Sequence, residues 1–242
     1  MLSFIREKVE ELIKKLSAVQ LEYNNLDIDG QYKLFYEIRK RYNDTKLIGN
    51  CDVDKAVDFI FLNRTCFNGL YRVNRKGQFN VPFGKYKNTK ICDYTNLFEI
   101  SNLLKNVIIL NGEYNQCREY ANDKTFVYFD PPYRPLTPTQ SFVSYSKDGF
   151  GDKQQIELAK FSEYLVKSGC KVLLSNSDPK NINPNDNFFD DLYVGFNICR
   201  VNAKRIINCK ACKRGSITEI IVYNYVNEII KNENIYRLAI SI

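Results

Sequence analysis

Residues 126–133 restrict the fold of this chain more than any other part of the sequence. They read Phe-Val-Tyr-Phe-Asp-Pro-Pro-Tyr, so four apolar or aromatic residues are followed directly by an acid and two prolines. The first four are typical of a buried strand, and proline, which has no N–H to donate, does not continue a central strand. The strand is therefore expected to end next to Asp130. In open α/β sheets, ligands bind beyond the carboxyl ends of the strands, so residues 130–133 are predicted to face a ligand.

Strand-like and helix-like segments alternate after residue 105. Apolar runs of strand length are found at 107–110, 126–129, 171–174, 198–201 and 219–225, and helical spacing is found at 153–166. Short β-rich runs with a helix-length segment between them indicate an α/β sheet. Residues 106–226 are therefore predicted to form an α/β domain, followed at 227–242 by a tail or helix without an identifiable role.

The first 105 residues have a different, helical pattern. Apolar residues recur at helical spacing over 2–16, 32–42 and 53–62. The stretch 63–86 interrupts this pattern with glycines, a proline and alternating aromatic residues, which predicts a loop with a hairpin near 74–78. We therefore expect a helical domain over residues 1–105, with the hairpin at about 70–84.

Charge and composition narrow the class of the protein. The formal net charge is +7 and 14% of the residues are aromatic; this combination suits a polyanionic partner, because basic groups neutralise phosphates and rings stack on bases. The eight cysteines are dispersed and no signal peptide precedes them, so a reduced, cytoplasmic protein is expected. No apolar run approaches the ~20 residues of a membrane span, and no membrane partner is expected.

The residue types at 130–133 suit chemistry on an aromatic amine. Such an amine is a weak nucleophile because its lone pair is delocalised into the ring, and acceptors on its N–H bonds return electron density to the nitrogen. The Asp130 carboxylate and the Pro131 carbonyl can be these acceptors, while Pro131 and Pro132 keep the turn rigid. The ring of Tyr133 offers a face on which an extruded base can stack.

Methyl transfer to such an amine depends mostly on positioning, and it requires no metal. Cys209-x-x-Cys212 could supply half of a zinc site, but no second pair stands at metal-binding spacing and the sequence contains no histidine. A metal site is therefore not expected.

The sequence resembles the Dam/DpnII-type adenine-specific DNA methyltransferases. Asp-Pro-Pro-Tyr at 130–133 is the catalytic motif of that family, and 62–86 is similar to its DNA-recognition segment. Further matching stretches are Phe142-Val-Ser-Tyr145, Phe150, Gln154–Gln155, Leu174-Ser-Asn176 and 213–219. The resemblance covers roughly residues 1–225. It implies a Rossmann-like α/β sheet with an inserted helical DNA-recognition domain, S-adenosylmethionine as the cofactor and double-stranded DNA as the partner, which would place the protein at the nucleoid.

The resemblance also assigns roles to individual residues. The implied catalytic residues are Asp130, Pro131, Pro132 and Tyr133, and the implied cofactor-binding residues are Glu113, Tyr114 and Asp130. The implied DNA-binding residues are Arg72, Asn74, Arg75, Lys76, Asn80 and Lys85. Arginine can read guanine with two hydrogen bonds, whereas lysine mostly holds phosphates. Much of the family recognises GATC, which is the expected target. An alternative for Asn63, Asn68, Asn80 and Gly84 is that they only hold the shape of the loop.

The chain departs from the family at the cofactor site. Family members carry a Lys-x-x-Gly-Gly-Lys-like stretch, a Phe-x-Gly-x-Gly loop that cradles the cofactor and a strand ending in Asn-Asp, and this sequence begins where their recognition domain begins. The sheet is therefore expected to be partial, without its first two strands, which leaves the strands at 107–110 and 126–129 with unpaired edges that favour association. A second chain could supply the missing N-terminal strands.

Three hypotheses follow for the function. The first is an adenine N6-methyltransferase that acts on GATC by base flipping. The second is a truncated or split-enzyme subunit that binds DNA but cannot methylate alone. The third is a methyltransferase for RNA or for the amine of cytosine, against which the match at 63–86 argues.

Overall fold

The computed structural model describes residues 1–44, 52–136, 150–204 and 216–225. The chain divides into two compact units, Met1–Asn111 and Gly112–Ile242. Several features of the sequence lie outside the described residues: the matching stretches at 142–145 and 213–215, Cys209 and Cys212, and the tail at 227–242.

Five α-helices form the described part of the first unit. Their bounds are α1 Leu2–Glu7, α2 Val9–Asn24, α3 Ile28–Asp44, α4 Val53–Thr65 and α5 Tyr94–Leu104. The single helix predicted over 2–16 is two helices, because Lys8 leaves the helical conformation with φ −137° and ψ 36°. The helices enclose a core that includes Leu12, Phe35 and Phe61, each with no exposed surface. Since apolar side chains recur at helical spacing, each helix presents one apolar face to this core.

A short irregular segment follows α4 in the first unit. A 3-10 turn at Phe67–Gly69 leads into a chain reversal, in which the N–H of Asn74 donates to the carbonyl of Gln78 at 2.9 Å. Val73 pairs with Phe79 across this reversal as an isolated antiparallel bridge. Gly77 takes φ 72°, a left-handed conformation that glycine adopts without steric cost. The hairpin tip is therefore exposed while its base rests on the helices.

The residues that the structure describes in the second unit include a four-stranded mixed sheet. Its strands are β1 Phe126–Phe129, β2 Lys171–Ser177, β3 Asn197–Lys204 and β4 Ser216–Tyr223, in the order β1-β2-β4-β3. β1 and β2 are parallel and the other pairs are antiparallel. The helix α6 Asp152–Lys167 connects the parallel pair and packs on the sheet, and a short helix, α7 Phe188–Leu192, precedes β3. This is a mixed α/β arrangement compatible with a methyltransferase fold.

The prediction of a strand at 107–110 is wrong. Within the described chain these residues are outside the sheet, and the side chains of Val107, Ile108 and Leu110 are exposed. Backbone groups at this point have other partners: the N–H of Val107 donates to Leu104, and the carbonyl of Val107 accepts from Arg6. An apolar run of four residues does not by itself require a strand, and here local contacts decide its conformation.

In the described sheet β1 lies at one edge, with the β2 strand on one side only. Phe126 and Tyr128 alternate with Val127 and Phe129, and the first two are about half exposed. The unpaired edge expected for 126–129 is therefore present among the described residues. The opposite face of the strand contributes Phe129 to a core shared with Leu165 and Leu174.

Candidate functional site

The tip of β1 carries an exposed carboxylate that is held from the neighbouring strand. The parallel register pairs Phe129 with Leu174, so the next residues along each strand, Asp130 and Ser175, are also neighbours. The hydroxyl of Ser175 donates to Oδ1 of Asp130 at 3.2 Å, and it also lies 2.9 Å from the hydroxyl of Tyr128. Since Ser175 has only one hydrogen to donate, Tyr128 is the donor in that second contact. The chain Tyr128–Ser175–Asp130 fixes the carboxylate while leaving it open to solvent.

The loop that follows Asp130 is fastened by side chains from two elements. Gln155 of α6 donates from Nε2 to the carbonyl of Pro132 at 3.1 Å. The N–H of Arg134 donates to Oδ1 of Asn176 at 2.9 Å, and the hydroxyl of Ser177 donates to the carbonyl of Arg134 at 2.6 Å. Among the described residues, none donates to the carbonyl of Pro131. That oxygen is therefore available to an external N–H.

Arg134 anchors the far end of the same loop. Its guanidinium forms ion pairs with Asp152 at 2.8 Å and Asp186 at 2.9 Å, and its central carbon lies 4.2 Å from the ring centre of Phe188. The hydrogen bond to Asp152 raises the pKa of the Arg134 guanidinium above its ordinary value. Three partners around one planar cation hold the loop after the motif in one position.

The side chain of Tyr133 stands at the site with a large part of its surface open. It is 37% exposed, and its hydroxyl has Oε2 of Glu219 at 3.4 Å. Partial burial of the hydroxyl, together with the carboxylates of Glu219 and Asp130, raises the pKa of Tyr133 to about 12. The phenol is therefore neutral at any physiological pH, and its ring can receive a flat apolar ligand.

Sequence reasoning assigned no role to the residues that hold this loop. Gln155, Ser175 and Asn176 are buried polar side chains, and in the sequence they stand out only as parts of stretches that match the family. The available signal was the polar end of an apolar strand at 175–177, because polar groups are buried only where hydrogen bonds compensate them. Their partners depend on the register of β1 and β2, which the sequence does not show.

The residues predicted to bind the cofactor are not brought into one pocket. Tyr114 packs its ring at 6.2 Å from Phe129 and 5.4 Å from Phe161, measured between ring centres. With Glu113 it lines an open cavity of about 380 Å³ on the surface of α6, and Asp130 is not part of that lining. The described residues therefore do not form a complete cavity for S-adenosylmethionine, although Asp130 and Glu113 each offer an exposed carboxylate.

Two of the predicted DNA-binding side chains are engaged in shaping the hairpin. Oδ1 of Asn74 accepts from the N–H groups of Lys76 at 2.9 Å and Gln78 at 3.1 Å, which closes the turn. Oδ1 of Asn80 accepts from Nε of Arg72 at 2.8 Å. Asn74 and Asn80 thus have structural contacts, and Arg72 keeps only part of its guanidinium for another partner.

Three basic side chains of this segment project freely. Arg75 and Lys76 lie exposed at the tip of the reversal, and Lys85 is exposed with φ 56°. Within the part of the chain that the structure describes, no carboxylate lies in salt-bridge contact with any of the three. Exposed, unpaired cations are suited to phosphate oxygens or to the acceptor edge of guanine.

The hairpin is fixed to the helical unit at its base. The side chain of Asn43 on α3 accepts from the N–H of Phe79 at 2.8 Å and donates to the carbonyl of the same residue at 3.1 Å. The ring of Phe79 lies 6.0 Å from that of Tyr71. The side-chain amide of Asn43 thus bonds to both backbone groups of Phe79, as a neighbouring strand would.

Four residues of the loop 63–86 were expected either to bind DNA or only to hold the shape of the loop. Each of them makes a local hydrogen bond or leaves no room for a side chain. The amide of Asn63 donates to the carbonyl of Gly69 at 2.8 Å, and Asn68, with φ 54°, donates its N–H to the hydroxyl of Tyr86. At Gly84, a Cβ atom would lie 2.7 Å from the carbonyl oxygen of Cys66, so only glycine fits. Asn80 bonds to Arg72 within the hairpin. These contacts account for all four without requiring DNA.

The other expectations from composition concern cysteines, metals and membranes. Cys66, Cys92, Cys117, Cys170 and Cys199 are free thiols. In the described ranges, no group of three or more His, Cys, Asp or Glu side chains is arranged to hold a metal. No helix within those ranges combines the length and apolar character needed to cross a membrane.

Comparison with known proteins points to one consistent family. The family model described as D12 class N6 adenine-specific DNA methyltransferase matches residues 1–207. The chain is 49% identical over 223 residues to the type II methyltransferase M.MjaIII of Methanocaldococcus jannaschii, covering 91% of this chain and 74% of that protein. It is 37% identical over 225 residues to the type II methyltransferase M1.LlaDCHI of Lactococcus lactis, covering 92% and 74%. It is 36% identical over 146 residues to the DNA adenine methylase of Escherichia coli, covering 60% and 51%.

Proposed function

Since the chain belongs to the D12 class of N6 adenine-specific DNA methyltransferases, we propose that it methylates adenine within GATC. The methyl donor is S-adenosylmethionine, and the adenine is flipped out of the duplex before the transfer. The observation that carries the proposal is the tip of β1. There an exposed carboxylate at Asp130, a carbonyl at Pro131 to which no described residue donates, and an open ring at Tyr133 follow one another in a rigid loop. These are the groups that an adenine amine needs.

The chain's own residues prepare the nitrogen for attack. The Asp130 carboxylate and the Pro131 carbonyl each accept one N–H of the 6-amino group, which returns lone-pair density to the nitrogen. S-adenosylmethionine, when bound, would supply an electrophilic methyl group, whose bond to sulfur would break as the N–C bond forms and leave S-adenosylhomocysteine as the neutral thioether. Formation of the N–C bond requires the nitrogen to lose one proton, and Asp130 is open to solvent, to which the proton can pass. Most of the acceleration comes from holding the amine in line.

Base flipping is part of the proposal because an enzyme cannot reach the reacting atom of a base that is stacked and paired inside a duplex. The partly exposed ring of Tyr133 supports it, since an extruded purine can stack on that face. Its neutral hydroxyl places no charge beside the base. Of the residues expected at the cofactor, Asp130 and Glu113 remain the better candidates, because the ring of Tyr114 is engaged by Phe129 and Phe161.

DNA recognition is assigned to the helical unit, as a domain inserted into a Rossmann-like sheet. The exposed basic groups of Arg75, Lys76 and Lys85 on the hairpin segment support this assignment. Arg72 contributes in a secondary way, through the part of its guanidinium that Asn80 does not use. GATC is proposed as the target from the resemblance of 62–86 to the recognition segment of the family.

The methyltransferase hypothesis is favoured over the alternative of a subunit that only binds DNA, because the relatives carry the names of methyltransferases. Two of those names describe type II methyltransferases. We therefore include a role in restriction and modification in the proposal.

The experiment is methyl transfer from labelled S-adenosylmethionine to a short duplex with one GATC site. The expected product is N6-methyladenine, identified by mass spectrometry of the digested nucleosides. A duplex with GTAC and one with GATC already methylated at both adenines are the controls, and neither should accept label. Formation of N4-methylcytosine, or equal labelling of GTAC, would refute the substrate assignment.

A further inference from the structure

Two primary amides are fully buried beside the loop 131–134. Gln155 on α6 and Asn176 on β2 have no exposed surface. Burying an amide costs free energy unless its donors and acceptor are hydrogen-bonded. The partners of these two side chains therefore indicate their role in the structure. Both amides use their nitrogen and their oxygen in hydrogen bonds.

The hydrogen bonds form one continuous chain around Tyr133. Nε2 of Gln155 donates to the carbonyl of Pro132 at 3.1 Å, and Oε1 of Gln155 accepts from Nδ2 of Asn176 at 3.1 Å. Oδ1 of Asn176 accepts from the N–H of Arg134 at 2.9 Å. The chain therefore begins at the peptide bond before Tyr133 and ends at the peptide bond after it.

Fixing both of these peptide planes fixes φ and ψ of Tyr133. The backbone consequently sets the direction in which the Cα–Cβ bond of Tyr133 projects. At the far end of the side chain, the hydroxyl lies 3.4 Å from Oε2 of Glu219 and also bonds to the hydroxyl of Ser175. The carbonyl that Gln155 occupies belongs to Pro132, so the carbonyl of Pro131 stays available.

We propose that Gln155 and Asn176 are positioning residues that fix the Tyr133 ring in the orientation in which it stacks on the target adenine. The inference rests on the function proposed above and names residues that act through another residue of that site. Uncharged amides suit the task, because a buried charge next to Asp130 would alter the carboxylate as well as the loop.

The test is a double-mutant cycle between Gln155 and Tyr133. Gln155→Met keeps the size of the side chain, adds no charge and removes the donor to Pro132, and we expect kcat to fall about tenfold with KM for DNA unchanged. Tyr133→Ala should also lower kcat about tenfold, because the base then has no ring on which to stack. If Gln155 acts through Tyr133, the double variant falls no further than Tyr133→Ala alone. Losses that multiply, to about a hundredfold, would overturn the proposal, as would a Gln155→Met enzyme equal to the wild type.

Gln154→Met is the matched control. Its oxygen accepts from the N–H of Gly151 at 3.0 Å, so the loop 131–134 keeps its hydrogen bonds in this variant and kcat should not change. Asn176→Leu is the second variant if Gln155→Met does not fold by circular dichroism, because it adds no charge and removes both the acceptor for Arg134 and the donor to Gln155. The double-mutant cycle in kcat is then measured between Asn176 and Tyr133→Ala, and its outcomes are judged in the same way. A wild type that makes no N6-methyladenine would refute the proposed function instead, whereas an active wild type with multiplicative losses refutes only this inference.

Discussion

The hydroxyl of Ser175 donates a hydrogen bond to the carboxylate of Asp130 across the parallel strands β1 and β2, at 3.2 Å. Each strand end alone is an ordinary one, with an acid after β1 and a serine near the end of β2. The register of the two strands places Ser175 beside Asp130, so that the carboxylate is oriented as a hydrogen-bond acceptor for an amine.

Ser175→Ala should lower methyl transfer by about tenfold or more, because a hydrogen bond to a charged group is worth about 1.5–3 kcal/mol. Steady-state kcat on a GATC duplex measures the effect. Ser162→Ala is the control: that serine is buried as well, but its hydroxyl bonds to the carbonyl of Leu158 within α6. An equal loss in both variants would point to general destabilisation rather than to the carboxylate.

Asp130→Asn should lower kcat by about 100-fold or more while DNA affinity stays nearly constant. Asparagine keeps an acceptor oxygen but lacks the negative charge that supports the developing positive nitrogen, and such electrostatic contributions are worth about 10²–10³ in rate. Fluorescence anisotropy with labelled duplex measures affinity, and Asp191→Asn on α7 is the control at an exposed acid. A parallel loss of binding and transfer contradicts a purely chemical role.

Alkaline titration should show Tyr133 ionising near pH 12, above the ordinary pKa of 10.0. The folded state favours the neutral phenol, so its contribution to stability is complete below pH 10 and is lost as the pH rises through about 12. Phenolate absorbance measures the titration, and Tyr133→Phe should remove the part near pH 12. If that variant loses absorbance only around pH 10, the hydroxyl is not in the environment described.

Arg75→Ala and Lys76→Ala should each weaken DNA binding, because both cations are exposed at the hairpin tip. If Lys76 binds a phosphate, its removal should reduce the slope of log K against log salt by about 1, whereas removal of an Arg75 that reads guanine should cost about 1–3 kcal/mol and relax the target preference. Anisotropy titrations at several salt concentrations, on GATC and GTAC duplexes, separate the two. Lys14→Ala on α2 is the control, and equal effects there would mean only a general loss of charge.

Asn43→Ala should lower the free energy of unfolding by about 1–3 kcal/mol, because both the N–H and the carbonyl of Phe79 lose their partner. Urea denaturation followed by circular dichroism measures this. Asn102→Ala, at an exposed position of α5, corrects for the higher helix propensity of alanine and should be neutral or slightly stabilising. Equal stability of the two variants would show that the hairpin is held by its aromatic rings alone.

Local patterns in the chain were sufficient to predict the helical character of the first unit, four strands of the second and the position of the motif 130–133. These follow from short-range physics: apolar periodicity selects helix or strand, and a pair of prolines ends a strand. Neither needs knowledge of distant residues. The wrong prediction of a strand at 107–110 also comes from a short-range pattern. Four apolar residues satisfy the pattern of a strand, but local hydrogen bonds to Leu104 and Arg6 determine a different conformation.

The polar groups that serve the site, in contrast, could be recognised only in the folded chain. Asp130 and Ser175 are 45 residues apart, and Gln155, which lies on a helix, reaches the carbonyl of Pro132 across 23 residues. The same holds for the hairpin, where Asn74 and Asn80 bond within the loop while the side chains of Arg75 and Lys76 are exposed and have no ion-pair partner in the described part of the chain. Hydrogen-bond partners are set by strand register and helix packing, which depend on the whole core, and a linear pattern of residue types does not contain them.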